Sequence, residues 1–346
     1  MTRLAVVADD LTGALDAAAP FAARGIATVV ALGLDGLDAA LASGADVVGV
    51  STDSREIAPE LARQAVADCV ARLPVSLRIF KKVDSRLKGN IAAELDAMVF
   101  EHALVIPAIP AFGRWLRDGK LGGFGVAEPI DIAGRLAHHA GHMSAPDAGS
   151  QEEIERAVAS IAHDLPIGAR GLAEALAARM APAADHAPAW TIGRPAICII
   201  GSTDPITLEQ LDRLRACRPE LTYIAAPDGR LPDDLPAPAP LTLVQAVPGQ
   251  DDADPAQVAS RLGEGLARLQ PHPGTTLVIS GGATAQTVLR SLHIAVLELL
   301  GEARPGLPIA RAGGFTIITK SGGFGTADAL VDLLGHLRGA ELESCG

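Results

Sequence analysis

The sequence has 346 residues, which is too long for one ordinary hydrophobic core and fits two domains. Apolar residues make up 49% and charged residues 20% of the chain, which excludes a disordered protein. The net charge of −12 argues against a general nucleic-acid or membrane-surface binder, because such proteins present a basic face. The four cysteines form no CxxC pair and no apolar run approaches membrane-spanning length. We therefore expect a soluble protein of the cytoplasm.

In the first half, short runs of Val, Ile and Leu alternate with longer amphipathic stretches, as expected for βα units around a mostly parallel sheet. The predicted strands are 4–8, 27–32, 46–50, 78–83 and 103–107. The predicted helices are 13–24, capped by Thr12, then 60–72, 91–100, 151–163 and 171–180. Residues 113–150 are rich in Gly and His without a clear period, which predicts a loop or flap.

The same rhythm restarts after residues 181–195, a proline-containing segment that we interpret as a linker. The second half predicts strands 196–200, 222–226, 276–280 and 315–319 and helices 205–216, 255–269, 285–292 and 326–337, with 227–254 as loop. The sequence therefore predicts an α/β fold with two domains, 1–180 and 196–346. Each domain is expected to be a mostly parallel sheet flanked by helices, with an active-site cleft between the domains.

Three strand-to-helix junctions in the second half are rich in glycine: 199–203, 278–284 and 319–325. Glycine lets the backbone approach an anion closely, and the N-terminus of a helix offers unpaired N–H donors. Ligands of open α/β sheets bind at the carboxyl ends of the strands, where these junctions lie. The pattern predicts a nucleotide or phosphate site, although neither GxxxxGK[ST] nor an early GxGxxG is present.

Two acidic residues, Asp9 and Asp10, end the first predicted strand. Paired carboxylates at a strand end can orient sugar hydroxyls, hold Mg²⁺ or act as a general base. The alternative is that one caps the following helix and the other is solvated.

A basic cluster spans predicted strand 78–83 and the residues after it. Five cationic side chains fall within residues 78–88, although the chain as a whole is acidic. It predicts a pocket for a small anionic substrate with Asp84 among the hydroxyl-binding groups; the alternative is a solvated basic turn. Arg114 follows a proline-rich loop and can clamp a carboxylate or phosphate. The spacing of His138, His139 and His142 permits a metal, but no third ligand is evident in the sequence, so we predict no metal site on the protein.

Taken together, these motifs resemble the four-carbon acid sugar kinase family. The matching segments recur in family order from end to end: 8–14, 82–85 with 89–91, 107–114, 171–174, 201–202, 280–282 with Thr284, and 320–325. The resemblance implies an N-terminal domain that binds an acid sugar and a C-terminal domain that binds ATP. The implied reaction is phosphorylation of a terminal hydroxyl of a tetronate, such as D-threonate, D-erythronate or an oxo-tetronate, with ATP and Mg²⁺.

The resemblance also implies roles for individual positions. The nucleotide would be bound by Ser202, Gly281, Gly282, Thr284, Lys320, Gly322, Gly323 and Gly325. The sugar acid would be bound by Asp9, Asp10, Lys82, Asp84, Ser85, Arg86, Lys88, Asn90 and Arg114, with either Asp84 or Asp10 as the catalytic base. The chain departs from the family pattern at Ala283, usually Asp, at Arg86 and Lys88, usually Thr and Arg, and in a shorter segment between 114 and 171.

Two other functions remain open at this point. A nicotinamide-dependent oxidoreductase of small hydroxy acids is disfavoured by the missing early GxGxxG, and NADH titration would test it. A non-catalytic ligand-binding homologue is allowed by Ala283, and an assay of ADP release would test it. The expected partners are the sugar acid and ATP, without nucleic acid or membrane, and the sequence also allows a homodimer.

Overall fold

The computed structural model describes residues 2–181, 190, 192–237, 239–251 and 253–335. The chain forms two units, Met1–Ala187 and Pro188–Gly346. Most of the predicted linker, namely 182–189 and 191, lies outside the described residues, as does the end of the last predicted helix beyond residue 335. No helix among the described residues is both long and apolar enough to cross a membrane.

The first unit is built from βα units. Its strands are β1 (Leu4–Ala8), β2 (Thr28–Ala31), β3 (Val47–Ser51), β4 (Arg78–Lys82), β5 (Ala103–Ile106), β6 (Arg114–Arg117), β7 (Lys120–Gly123), β8 (Ile130–Asp131), β9 (Met143–Ser144) and β10 (Leu165–Gly168). Its helices are α1 (Leu11–Ala22), α2 (Leu34–Ala42), α3 (Pro59–Arg72), α4 (Ile91–Leu95), α5 (Ile132–Leu136), α6 (Gln151–Ser160) and α7 (Arg170–Met180).

Seven of these strands pair in parallel in the order β2-β3-β1-β4-β10-β5-β9. Every residue of β1, β2 and β3 is buried, and most are Val or Ala, as expected for a parallel sheet whose two faces are covered by helices. The parallel arrangement brings the carboxyl ends of β1, β3 and β4 to one edge. Strands β6, β7 and β8 form a separate antiparallel sheet.

The second unit has strands β11 (Ala196–Ile200), β12 (Thr222–Pro227), β13 (Leu241–Val247), β14 (Thr276–Ser280), β15 (Val296–Arg304), β16 (Leu307–Ala312) and β17 (Phe315–Lys320). Its helices are α8 (Pro205–Cys217), α9 (Pro255–Arg268), α10 (Gly282–Ser291) and α11 (Ala329–Gly335). The strand order is β12-β13-β11-β14-β17-β16-β15, parallel through β17, with β16 and β15 antiparallel. The expected mostly parallel α/β architecture is therefore confirmed.

The helices of the second unit lie on opposite faces of this sheet. Residues of α8 and α11 share one apolar cluster with Ala196, Cys198 and Ile200 of β11. Helices α9 and α10 pack on each other and cover the other face, toward which the alternate residues Ile197 and Ile199 point. The chain therefore leaves β11 toward one face, and leaves β13 and β14 toward the other.

Several predicted elements were wrong. Residues 113–150 are not a loop: β6 and β7 form a hairpin whose two turn residues, Asp118 and Gly119, both adopt the positive φ of a type I′ turn. Residues 227–254 are not all loop, because the apolar run of β13 lies between the prolines and pairs with both β11 and β12. The predicted helix 91–100 ends at Leu95. Elements α2, β10, β15 and β16 were missed.

Candidate active site

The carboxyl edge of the first sheet gathers acidic side chains around one arginine. Asp9 follows β1 and is only 2% exposed. Arg55, in the loop after β3, donates two hydrogen bonds of 2.8 Å to its carboxylate, from Nε to Oδ2 and from Nη2 to Oδ1. The same guanidinium donates from Nη1 to Oδ2 of Asp10 at 2.6 Å. One cation thus holds both carboxylates that end β1.

Asp10 also begins α1. Its Oδ1 accepts the backbone N–H of Gly13 at 2.7 Å, and its Oδ2 accepts the hydroxyl of Thr12 at 2.9 Å. Asp10 is therefore the N-cap, and the prediction of Thr12 as cap was wrong. Capping and the contact with Arg55 together engage both oxygens of this carboxylate.

The two neighbouring carboxyls have opposite pKa shifts. Burial raises the pKa of both, and Arg55 opposes it. At Asp9 the hydrogen bonds and charge of Arg55 outweigh burial, so the pKa lies below its usual value. At Asp10 burial, reinforced by the negative charge of Asp9, outweighs Arg55 and the pKa is raised.

Asp84, just after β4, also lies close to Arg55, and its two carboxylate oxygens differ in their contacts. Its Oδ1 accepts the backbone N–H groups of Arg86 at 2.9 Å and Lys88 at 3.3 Å, which fixes the turn. Its Oδ2 lies 3.9 Å from Nη1 of Arg55 and accepts no hydrogen bond from any residue that the structure describes. The structure thus brings Asp9, Asp10 and Asp84 together.

The predicted cations of the first unit differ in their surroundings. Lys82 is buried, and its Nζ donates to the carbonyl of Val83 at 2.9 Å. Buried Arg114 donates to the hydroxyl of Ser85 at 2.7 Å. Burial lowers the pKa of Arg114, and the positive charge of Arg86 lowers it further. Arg86 is half-buried. Two guanidinium groups near each other make this a favourable place for an anion.

The loops at this edge fit closely. Asn90 donates from its amide to the carbonyls of Ser54 at 2.9 Å and Ile57 at 2.8 Å, so it joins the loop after β4 to the loop that carries Arg55. Lys88 is exposed at the rim. Gly89 has φ +89, and any side chain there would lie 3.3 Å from Oδ2 of Asp9.

A buried ion pair lies beneath this site. Nζ of Lys81 is 2.7 Å from Oε2 of Glu94, and both side chains are almost wholly inaccessible, at 0% and 1% exposed. Glu94 also accepts the hydroxyl of Ser54. This pair links β4 to α4 and to the segment just before Arg55.

In the second unit, the three glycine-rich junctions meet at the carboxyl ends of β11, β14 and β17. The N–H of Gly201 donates to the carbonyl of Ser280 at 3.1 Å, and the N–H of Gly281 donates to that of Lys320 at 3.1 Å. A side chain at Gly201 would overlap Thr284, and one at Gly322 would overlap the hydroxyl of Ser202. Five residues with a predicted nucleotide role therefore lie together near the start of α10: Ser202, Gly281, Gly282, Thr284 and Gly322.

Lys320 organises one of these junctions. Its buried Nζ donates to the hydroxyl of Thr207 at 2.8 Å and to the carbonyls of Ser321 at 3.0 Å and Gly322 at 2.9 Å. These bonds use the three N–H groups of an ammonium. Burial lowers the pKa of Lys320 to about 8, although the negative charge of Asp204 opposes this. Lys320 thus supports the loop, and its contact with nucleotide stays a prediction.

Glycine is required for different reasons along this loop. Gly281 has φ +107 and Gly325 has φ +89, a region that other residues rarely adopt. Gly323 is not among the glycines with positive φ, but a side chain there would lie 3.2 Å from Oδ2 of Asp204. Close approach, rather than backbone strain, is what favours glycine at 323.

Sequence reasoning missed Arg55 and Asp204. Both follow apolar strands within a few residues, in the polar runs 51–55 and 202–204, and these runs were the available signal. The three-histidine segment has a partner that sequence could not reveal. Nε2 of His138 and of His139 lie 2.7 and 2.9 Å from Oδ1 of Asp96, on the exposed surface.

Comparisons with known proteins match two parts of the chain to models of two domain families. Residues 4–159 match the model of a sugar-binding N-terminal domain, and residues 236–330 match that of a nucleotide-binding C-terminal domain. A D-threonate kinase of Bordetella bronchiseptica is 30% identical over 95% of this chain and 96% of its own length. The chain belongs to the four-carbon acid sugar kinase family.

Other members of the four-carbon acid sugar kinase family differ in the acid they are named for. A 3-oxo-tetronate kinase of Methylobacterium radiotolerans is 27% identical over 94% of this chain and 97% of its own length. A solved structure from Salmonella typhimurium LT2 shares the fold, with a TM-score of 0.70 at 20% identity over 96% of this chain and 98% of that one. The two relatives named as kinases support a sugar-acid kinase without fixing which acid is used.

The buried ion pair generates a prediction about stability. Replacement of Glu94 by Gln leaves the Lys81 ammonium buried without its counter-charge, so we expect a loss of about 3–5 kcal/mol in the free energy of unfolding. Chemical denaturation measures it, with Glu60→Gln, an exposed position on α3, as the control. A Lys81→Met/Glu94→Leu double variant should recover much of the loss. If Glu94→Gln lowers the free energy of unfolding by no more than the control does, the ion pair of Lys81 and Glu94 does not stabilise the fold.

The lowered pKa of Lys320 generates a prediction about pH. Above about pH 8 the amine loses a proton and with it one of the three N–H groups that hold the loop. Because an anion near Lys320 favours the protonated form, ADP should bind about tenfold more weakly at about pH 9.5 than at about pH 7. Calorimetric titration across this range measures the change. In Lys320→Met the affinity for ADP should be lower than that of the wild type at about pH 7 and should not change with pH. If the ADP affinity of this variant falls with pH as steeply as that of the wild type, another group is responsible for the titration.

Proposed function

We propose that the protein is an ATP-dependent kinase that phosphorylates a terminal hydroxyl of a four-carbon sugar acid such as D-threonate, D-erythronate or an oxo-tetronate. The observation that carries the proposal is the Asp84 carboxylate, whose Oδ2 lies 3.9 Å from Nη1 of Arg55 and accepts no hydrogen bond from the part of the chain that the structure describes. Nucleotide loops in the second unit and relatives named as kinases of such acids support the same reading.

The first unit would bind the acid through complementary charge. The carboxylate of the substrate would lie against Arg86 and Arg114, whose neighbouring positive charges favour an anion. Lys82 would add charge from below, and Lys88 from the exposed rim. The substrate hydroxyls would be oriented by the acceptors of this edge and by nearby polar groups: Asp9, Asp10, Ser85 and Asn90.

Asp84 is the better of the two candidates for general base. Both oxygens of Asp10 are engaged, in capping α1 and in the contact with Arg55, whereas Oδ2 of Asp84 is open to accept a proton. Asp10 would then position Arg55. Phosphoryl transfer depends mainly on positioning and on stabilisation of charge, so one carboxylate oriented toward the attacking hydroxyl is sufficient.

The second unit would bind ATP chiefly through backbone groups. The N–H groups of the first turn of α10 have no acceptor within the helix, and Gly281 and Gly282 leave space for phosphate oxygens to reach them. The hydroxyls of Ser202 and Thr284 lie beside them. Mg²⁺ would enter with the phosphates and offset their charge. Asp204, which borders the loop at Gly323, is the carboxylate suited to hold it there.

The proposed activity is tested by coupled measurement of ADP release over a panel of four-carbon acids. We expect release that depends on the presence of one of these acids and on Mg²⁺. Release without any acid, or no release with any of them although ADP and the acid both bind, would contradict the proposal. The second result would instead favour a binding homologue without turnover.

Loss of the base should affect the rate more than binding. Asp84→Asn keeps the hydrogen bonds of the turn through its amide oxygen but cannot accept the proton, so kcat should fall by about 10²–10⁴. Steady-state kinetics measure the effect, and circular dichroism checks the fold. Asp53→Asn is the matched control, since Asp53 is exposed at the same edge and Asn tolerates its positive φ. A kcat near that of the control would exclude Asp84 as the base.

If each unit binds one substrate, a variant in one unit should weaken the binding of that unit's substrate and leave the affinity for the other substrate unchanged. Gly323→Val presses a side chain against Asp204 and narrows the approach of phosphate, so ATP binding should weaken at least tenfold, about 1.4 kcal/mol. Arg86→Gln removes a charge from the acid site and should weaken binding of the sugar acid by a similar factor. Calorimetric titration of each ligand alone measures both. Loss of acid binding in Gly323→Val with ATP binding retained would overturn the assignment.

A further inference from the structure

A cavity of about 360 Å³ opens beside the glycine-rich junctions, within the second unit. Its lining combines Gly201 and Thr203, on either side of Ser202, with residues that follow β12 and β13. The residues that carry the argument are Asp228, Val247, Pro248 and Val258. The volume lies within the range of small-ligand pockets. Apart from Gly201 and Thr203, the lining lies outside the motifs that suggested a nucleotide.

The topology of the sheet explains why a cavity forms here. The chain turns from β11 into α8 on one face and from β13 into α9 on the opposite face, so the loops after these adjacent strands diverge. Ligands of open α/β sheets bind where loops diverge in this way. The same divergence between β11 and β14 places the phosphate-binding junctions on the other side of β11. A ligand that spans β11 would occupy both places.

Asp228 is fixed as an acceptor in the cavity wall. Its Oδ1 accepts the N–H of Gly249 at 3.1 Å, and its Oδ2 accepts the N–H of Asp251 at 2.8 Å. A side chain at Gly249 would overlap this carboxylate, so the backbone there must approach closely. No ion pair of the described residues involves the Asp228 carboxylate, although Arg261 donates to its backbone carbonyl at 3.1 Å. Each oxygen keeps capacity to accept a further hydrogen bond.

The remaining lining is mainly apolar. Val247, Pro248 and Val258 contribute aliphatic surface, together with Ala246, Ala253 and Pro255. A carboxylate repels phosphate, which makes this side of β11 unsuited to the charged end of a nucleotide. It suits hydroxyl donors, and the aliphatic wall suits a flat, uncharged ring.

We propose that this cavity binds the nucleoside part of the nucleotide. Asp228 accepts hydrogen bonds from the ribose hydroxyls, and the wall formed by Val247, Pro248 and Val258 packs against the base, while the phosphates extend past Ser202 to Gly281 and Gly282. The inference rests on the proposed function, because it assumes that the junctions bind phosphate. It adds a residue, Asp228, that distinguishes a nucleotide with a ribose from other polyphosphates.

The test compares ligands that share phosphates but differ in the sugar. ADP, 2′-deoxy-ADP, 3′-deoxy-ADP and inorganic tripolyphosphate are titrated calorimetrically into the wild type, Asp228→Asn and the control Asp233→Asn, an exposed neighbour. We expect the wild type to prefer ADP over at least one deoxy analogue by about tenfold. Asp228→Asn should lose that preference and bind tripolyphosphate as the wild type does. Asn tolerates the positive φ of residue 228, and thermal melts check the fold.

A second variant keeps the test decisive if Asp228→Asn is unstable. Val258→Trp fills the cavity, so it should weaken ADP binding at least tenfold while tripolyphosphate binding stays unchanged. ADP affinity equal to that of the wild type in both variants would overturn the nucleoside site alone and leave the kinase proposal intact. A wild type that binds neither ADP nor tripolyphosphate would overturn both.

Discussion

The guanidinium of Arg55 decides what the carboxyl edge of the first unit can contain. Three carboxylates, Asp9, Asp10 and Asp84, lie around it, and Asp9 is almost completely buried. Without a cation between them their mutual repulsion and desolvation would favour protonation of at least one. With Arg55 in place, Asp9 stays ionised and one oxygen of Asp84 stays open. The buried pair of Lys81 and Glu94 supports the segment from which Arg55 extends.

The second unit differs from the first in the groups that it offers to an anion. Its junctions rely on backbone N–H groups at the start of α10 and on glycines that leave room for close approach, and they carry few charged side chains. Lys320, the single lysine in the sequence of the second unit, gives its three N–H groups to the protein itself and so fixes the loop. In the proposed function, fixed backbone donors would bind the repeated charges of a polyphosphate, whereas the side-chain cations of the first unit would bind one small carboxylate.

Local sequence predicted the ends of several buried strands, because an apolar run followed by Asp-Asp or Gly-Gly marks the carboxyl end of such a strand. It therefore placed Asp9, Asp10 and Gly281 directly after strands, where the structure has them. It missed Arg55, since the partner of one arginine in a polar run depends on which strands are adjacent. It also missed β13, whose apolar run is hidden among prolines, and the hairpin at Asp118-Gly119, whose turn signal lay within a segment interpreted as a flap. Pairing between strands distant in sequence determined the surroundings of Arg55 and the place of β13, whereas the hairpin is local and its two turn residues were the available signal.

The central claim is transfer of a phosphoryl group to the terminal oxygen of a four-carbon acid, and the structure of the product tests it most directly. Purified protein, ATP, Mg²⁺ and the acid that supports ADP release are incubated, and the product is examined by phosphorus NMR with proton coupling. The account predicts one phosphate ester whose phosphorus couples to the terminal carbon-bound protons, and none when Asp84→Asn replaces the wild type for the same time. An acyl phosphate on the carboxylate, or inorganic phosphate alone, would contradict it.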